Sequence, residues 1–319
     1  MSNLKGKPPA MRDGVGEALA ELGKLNPRVV VLSADLAEST RAMKFGKLFP
    51  ERFFQVGIAE QNMMGLAAGL ALSGKVPFVA SFAVFNPGRN WDQFRVSVCY
   101  SETNVKVIGS HAGFSNGGDG GTHQALEDLA ITRCLPNLVV LSPADAAQAK
   151  KAVLAAAKHE GPVYIRISRD GSPVVTENLE FEIGKAQLLR VGQDVTIVAT
   201  GLMVAVALEA AEKLIAQKII CEVINLHTIK PLDVKSLKKS VLKTGALLTI
   251  EEHQLAGGMA SAVLEGLASE NAVPPLTKMM GVQDAFGESG DPAAIRAKHG
   301  LDVENVVKNV EELIKQKRK

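Results

Sequence analysis

Cysteine, aromatic side chains and long apolar runs are all scarce in this sequence, and each shortage excludes something. Three cysteines, Cys99, Cys134 and Cys221, are odd in number and far apart. They suit neither a disulfide framework nor a CxxC metal site, so a reduced, cytoplasmic protein is expected. No stretch approaches the ~20 apolar residues of a membrane-spanning helix. The opening segment MSNLKGKPPAMRDG has no apolar core that could serve as a signal peptide. Charge of one sign is also lacking: 36 basic and 34 acidic side chains give a net +2 and are interspersed. That balance supports neither nucleic acid nor a membrane surface as a partner. The one basic cluster, Lys315, Lys317, Arg318 and Lys319, reads as a solvated helix end. With aromatics at only 4% and a single Trp, the places where they gather become informative.

What is present is ample apolar content, 46% over 319 residues. That length is about twice the ~150-residue prior for one domain. Val15, Ala18, Leu19, Leu22 and Leu25 fall at helical spacing after Asp13. Apolar runs then recur at 29–33, 52–56, 76–81, 105–110, 138–143 and 163–168, with helix-length segments at 59–72, 123–133 and 144–159 between them. Buried strands alternating with helices predict a mostly parallel, doubly wound α/β sheet. A second α/β series follows, with strands expected at 196–201, 219–225, 246–253 and 275–282 and a helix ending near 217. Two domains are therefore expected, 1–172 and 191–319, joined by a Glu-rich linker at 173–190. In such sheets ligands bind beyond the carboxyl ends of the strands, so the loops there are where chemistry is sought.

Three loops stand out. In HAGFSNGGDGGTH (111–123), five glycines fall within nine residues, and two of the six histidines, His111 and His123, flank Asp119. The plain reading is a flexible loop. The functional one is a set of acid, base and hydroxyl-binding groups on a backbone that can approach a ligand closely. The histidines and Asp119 lack zinc spacing, no phosphate-loop pattern is present, and the metal motif that GDG could begin has no Asn thirty residues on, so no metal is expected. In GIAEQNMMGLAAG, Glu60 follows a strand and opens an apolar helix. It reads either as a dipole-complementing residue or as a partly buried acid suited to proton exchange with a heterocycle. In SFAVFNPGRNW, Phe82, Phe85 and Trp91 read either as core or as a stacking surface for a flat ring. His227 and the Glu251, Glu252, His253 run are read as structural, because no acid, base and nucleophile gather near them.

Taken together, GIAEQNM, SFAVF with NWDQFR, HAGFSNGGDGGTHQALEDLA, VYIRISR and FGESG resemble, in that order, the pyrimidine-binding and C-terminal domains of transketolase. The resemblance implies two doubly wound α/β domains and a thiamine-diphosphate enzyme. A complete transketolase has a further domain, which holds the diphosphate and Mg²⁺ and has no counterpart here. The chain thus resembles the C-terminal subunit of a split transketolase, inactive alone, paired with an N-terminal subunit in an α2β2 heterotetramer.

By that resemblance Glu60 bonds the aminopyrimidine and promotes the tautomer that activates the cofactor. Phe82, Phe85 and Trp91 grip the ring, and Asp35 lies close to the cofactor. His123 and His111 join Glu60 as catalytic residues. His123 sits near the reacting carbonyl, Asp119 contacts a sugar hydroxyl, and Arg12, Ser39, His111 and Arg169 hold the substrate phosphate. The reaction implied is transfer of a two-carbon ketol unit from a ketose phosphate to an aldose phosphate. Gly118 and Gly121 depart from the family pattern, in which an acidic and a stiffer residue are common. The β subunit of a 2-oxo-acid dehydrogenase, a transketolase for sulfonated or branched sugars, and a non-catalytic assembly subunit are the competing readings. The paired arginines favour sugar phosphate over a small oxo acid.

Overall fold

A computed structural model describes residues 8–319. Residues 1–7, which belong to the segment expected to carry no signal peptide and to the first expected domain, lie outside it. The first half of the chain runs α1 (Met11–Leu25), β1 (Val29–Ser33), α2 (Met43–Leu48), β2 (Phe53–Gln55), α3 (Glu60–Leu72) and β3 (Val76–Phe82). It continues with α4 (Trp91–Gln93), which leads into a π-helical stretch (Phe94–Tyr100), then β4 (Lys106–Ser110), α5 (Asp128–Arg133), β5 (Val139–Leu141), α6 (Ala146–Lys158) and β6 (Val163–Arg166). The second half runs β7 (Gln187–Arg190), β8 (Val195–Ala199), α7 (Met203–Leu214), β9 (Cys221–Asn225), β10 (Thr228–Lys230), α8 (Val234–Thr244) and β11 (Ala246–Gln254). It ends with α9 (Met259–Ser269), β12 (Leu276–Val282), α10 (Pro292–Lys298) and α11 (Val303–Lys317).

Two sheets result, one of seven strands ordered β10-β5-β6-β4-β3-β1-β2 and one of five ordered β12-β11-β8-β9-β7. Each is parallel except for one antiparallel edge strand, β10 on β5 and β7 on β9. The central strands β1, β3, β4 and β6 are buried along their whole length. Helices cover both their faces, which is why they appear in the sequence as largely apolar runs.

The structure departs from expectation in three places. β7 begins at Gln187, inside the segment read as linker. β10 comes from the second half of the chain but completes the first sheet. The segment 123–133 becomes α-helical only from Asp128, because the glycine-rich loop extends that far. The segment after β6 is also firmly tied to the first unit. Asp145, the N-cap of α6, is buried and accepts from the backbone N–H groups of Val175 and Thr176 at 2.8 and 3.0 Å. Lys151 donates to three carbonyls of the same segment, those of Thr176, Glu177 and Leu179. No helix among the described residues is long and apolar enough to cross a membrane.

Helix α1 sets the position of Arg12 and is itself seated on α6 at Gly14, where a Cβ atom would lie 2.1 Å from the carbonyl oxygen of Ala146. Backbone cannot yield as a flexible side chain can, so Gly14→Ala must push the helices apart. A loss of about 1–3 kcal/mol is expected in denaturant titrations, in the range typical of overpacking; an unchanged midpoint would show that the contact is not tight.

Candidate active site

Strands β3, β4 and β6 deliver their following loops to one end of the first sheet, as a parallel order requires. Glu60 opens α3 and its side chain is 1% exposed. A carboxylate so placed needs compensation. Arg89 supplies it, donating from Nη1 to Oε2 at 3.1 Å. The Arg89 guanidinium also lies 4.7 Å from the centre of the Phe85 ring, a cation–π contact. The backbone of Glu60 is held as well, its carbonyl accepting from Asn90 Nδ2.

Four rings converge beside this pair. Phe82 stacks on Phe85 with centroids 6.2 Å apart and on His111 at 3.9 Å. His123 meets Phe85 edge-on at 5.4 Å. Trp91 does not join them. Its indole N–H donates to the Ile131 carbonyl at 2.7 Å and its ring packs against the core, the plainer of the two readings offered for it. Asp35 is exposed with a left-handed backbone (φ +60°), and its N–H donates to Gln55 Oε1. No hydrogen bond or ion pair joins its side chain to the ring cluster among the described residues.

The glycine-rich loop is not floppy. Gly113–Asp119 forms tight turns kinked at Gly117 (φ +55°), and Gly121–His123 forms another after Gly120 (φ +76°). Phe114, Ser115 and Asn116 are buried. Asn116 Nδ2 donates to the carbonyls of both His111 and His123, fixing the two histidine positions relative to each other. Asp119 is exposed at the tip of the loop. The two departures from the family pattern differ physically: Gly118 faces open space, whereas a Cβ at Gly121 would lie 2.6 Å from the Gly287 carbonyl oxygen.

Cations gather at the other side of His111. Arg12 Nη1 donates to the Ser39 carbonyl at 3.0 Å, so Ser39 contributes through its backbone. Arg12 Nε is buried without a partner, a donor aimed at nothing in the protein. Burial and repulsion from Arg41 and Arg169 lower the proton affinity of the Arg12 guanidinium. Arg41, itself left-handed, is braced by Asp13 at 2.8 Å. Arg169 is exposed, and its backbone N–H donates to Ser115 Oγ. Burial, followed by the fields of Arg12, Arg169 and Arg41, drives His111 down to about 3, so its ring is neutral. Its Nδ1 lies 2.8 Å from Ser110 Oγ. Sequence reasoning missed Arg89 and Arg41. Each acts on a residue far away in the chain (Glu60 and Asp13), and neither lies in a periodic pattern.

The buried acid beside stacked aromatics fits an aminopyrimidine, and the orphaned Arg12 donor fits an anion. Among the described residues no group of three or more His, Cys, Asp or Glu could hold a metal ion.

Two family descriptions match the chain: the transketolase pyrimidine-binding domain over residues 7–173 and the transketolase C-terminal domain over residues 184–306. A Methanocaldococcus jannaschii protein provisionally named transketolase C-terminal section is 44% identical over 318 residues, 99% of this chain and 99% of its own length. The 6-deoxy-6-sulfo-D-fructose transketolase subunit of Clostridium sp. strain MSTE9 is 44% identical over 308 residues, 96% of this chain and 95% of its own. A solved structure described as a split gene transketolase, inactive beta4 tetramer, is 49% identical with a TM-score of 0.89, covering 96% of this chain and 98% of that one.

The state of His111 is open to direct test. In the unfolded chain the ring takes up a proton near ~6.5, whereas the folded site resists it down to about 3. The stability tied to this ring is therefore fully present above pH 6.5 and lost as pH falls toward 3. The NMR resonances of His111 are expected to remain those of a neutral ring from pH 8 to 5, and His111→Asn to flatten the decline in stability between pH 6.5 and 5. A titration of His111 near pH 6.5 would contradict the charge arrangement.

Proposed function

The chain belongs to the transketolase family, of which it carries the pyrimidine-binding and C-terminal domains, and from that premise we propose that it is the glutamate-bearing subunit of a two-subunit thiamine-diphosphate transketolase. The observation that carries this reading is the buried Glu60 carboxylate, paired on one oxygen with Arg89 and set beside the stacked rings of Phe82 and Phe85. Thiamine diphosphate supplies, when bound, a carbon nucleophile and an electron sink. Phe82 and Phe85 would hold its pyrimidine, and Glu60 would be placed to exchange a proton with it. Arg89 compensates the buried charge and braces Phe85, keeping acid and ring in register. The diphosphate and Mg²⁺ are assigned to the partner subunit.

On the substrate side, Arg12, Arg41 and Arg169 hold an anionic group, with the Ser39 carbonyl orienting Arg12. His111, neutral among them, adds no further positive charge and remains able to donate or accept a hydrogen bond. His123 moves a proton at the reacting carbonyl, and Asp119 receives a sugar hydroxyl. Three guanidiniums for one braced carboxylate suit a sugar phosphate and have no evident use for a small 2-oxo acid. A sulfonated ketose is the second reading, favoured by the 44% identity to the sulfofructose enzyme subunit.

The surface around Glu60 supports a missing partner. Ile58 is 74% and Leu72 78% exposed, with Leu66 and Tyr100 also exposed and open space at Gly65 and Gly69. An apolar face of this kind marks an interface, and a heterotetramer with two copies of each subunit would cover it. The free thiols Cys99, Cys134 and Cys221 accord with a reducing cytoplasm.

The first test mixes this chain with its partner subunit, thiamine diphosphate, Mg²⁺ and a panel of phosphorylated and sulfonated ketoses and aldoses. Glu60→Gln is expected to lower turnover by about a hundredfold to ten-thousandfold, as loss of a proton-transfer group does; normal turnover would remove Glu60 from the chemistry. Leu66→Lys is expected to abolish association with the partner in sedimentation while leaving the melting of the isolated chain unchanged. A complex of undiminished mass would place the interface elsewhere.

A further inference from the structure

The second half of the chain contributes none of the candidate site residues, yet the glycine-rich loop is fastened mainly to it. Consecutive residues at the carboxyl end of β11 seize both ends of the loop. At its start, Glu252 Oε1 accepts the backbone N–H of Phe114 at 3.1 Å. Glu252 itself is buried and held by Arg296 at 3.2 Å, and its carbonyl accepts from Arg166 at 2.8 Å. Just past the end of the loop, His253 Nε2 accepts the N–H groups of Leu129 and Ala130 in the first turn of α5, at 3.1 and 3.4 Å. The next residue, Gln254, donates its N–H to the Leu126 carbonyl at 2.7 Å.

The tautomer needed for this is fixed locally. His253 Nδ1 lies 2.7 Å from the Gln254 carbonyl and must donate to it, which leaves Nε2 as an acceptor for the two amides. Burial drives His253 down to about 4, so the ring stays neutral and able to accept. Along the middle of the loop a second grip comes from residues 287–290. Gln124 Nε2 donates to the Glu288 carbonyl at 3.0 Å, and Gly290 donates its N–H to the Gly117 carbonyl. The approach is so close that Cβ atoms at Gly113, Gly120 and Gly121 would each lie 2.6 Å from Glu252, Ser289 and Gly287 respectively. Packing against the second unit therefore accounts for Gly121, the departure from the family pattern that substrate contact does not explain.

We propose that Glu252 and His253 are positioning residues: the end of β11 clamps the glycine-rich loop so that His111 and His123 are presented to the Phe82 and Phe85 rings in one fixed arrangement, giving the C-terminal domain control over turnover. The clamp is geometric, but its effect on turnover rests on the transferase reading above. The path is short. Glu252 fixes Phe114, the adjoining turn carries Asn116, and Asn116 bonds the carbonyls of both histidines. His253 and Gln254 close the far end, so His123 lies between two anchored points.

The experiment has two arms, one independent of activity. Hydrogen exchange on the full chain compares wild type with Glu252→Ala, His253→Leu and His253→Gln; the last keeps an acceptor near the Nε2 position. Faster exchange over 113–130 is expected for the first two variants, with amides of 29–33 and 76–82 unchanged, and near wild-type protection in His253→Gln. Unchanged exchange over 113–130 overturns the clamp. Faster exchange everywhere, not restored in His253→Gln, overturns it in favour of a general structural role. In the reconstituted enzyme, Glu252→Ala and His253→Leu are expected to lower kcat by about tenfold to a hundredfold, as displacement of a catalytic group by an ångström does, with KM for thiamine diphosphate within about twofold of wild type and kcat recovered in His253→Gln. A loosened loop with unaltered kcat overturns the positioning role. Absence of transfer by the wild-type complex overturns the functional reading instead, and the exchange arm still decides the clamp.

Discussion

Arg166 and Asp128 are both buried, and each charge is tolerable only because the other is there. The guanidinium Nε lies 2.9 and 3.0 Å from the two Asp128 oxygens, and Tyr164 donates its hydroxyl to the same carboxylate at 2.8 Å. Removing one member of such a pair leaves an uncompensated buried charge, which costs about 3–5 kcal/mol. The pair also does more than neutralise itself. Arg166 ends the strand β6, Asp128 opens helix α5, and the guanidinium Nη2 donates to the carbonyls of Ala125 and, in the other unit, Glu252. One ion pair thus locks a strand of the first sheet, the foot of the glycine-rich loop and the end of β11 together. The pair thus joins the grips that Glu252 and His253 exert on the loop to the sheet beneath it.

This arrangement explains which parts of the fold were legible in the sequence. The central strands 29–33 and 76–82 stood out because helices cover both their faces, so nearly every side chain is apolar, with only the small Ser33 and Ser81 as exceptions. The edge strands β7 and β10 were not legible. They are short, and β7 is half-exposed with mixed side chains. The pairing of β10 with β5 joins residues far apart in the chain, and no local pattern encodes it. Helix 123–133 was overextended for a related reason. Before Asp128 the backbone is committed elsewhere, the carbonyls of Ala125 and Leu126 accepting from the N–H groups of Gly113 and Gln254, contacts that only the tertiary fold supplies.

The candidate site divides along the same line. Glu60, Phe82, Phe85, His111 and His123 lie at or just beyond strand ends, where doubly wound sheets concentrate chemistry, and the structure brings all five together. Arg12 and Arg169 meet at the cationic side, though α1 and the segment after β6 are distant in sequence. Arg41 and Arg89 escaped notice because an arginine's long side chain lets it act well away from its own backbone position. Trp91 misled because rarity is not location. An indole needs a partner for its N–H when buried, and the Ile131 carbonyl provided one in the core.

The near-neutral total charge is no guide to the field at this site. Three guanidiniums converge on His111, and Asp13 answers only Arg41 directly. Burial first, and these weakly screened charges second, keep the His111 ring neutral, and an anion is the ligand that relieves the repulsion. Glu60 presents the opposite problem, a buried anion beside rings at the edge of an uncovered apolar face. Arg89 compensates it from one side only, and its guanidinium is half-exposed. Covering that face with a second subunit would remove water from Arg89 and Glu60 together and strengthen their pairing. The Glu60 end is thus the one that gains most from assembly, whereas the cationic end is largely built within the single chain.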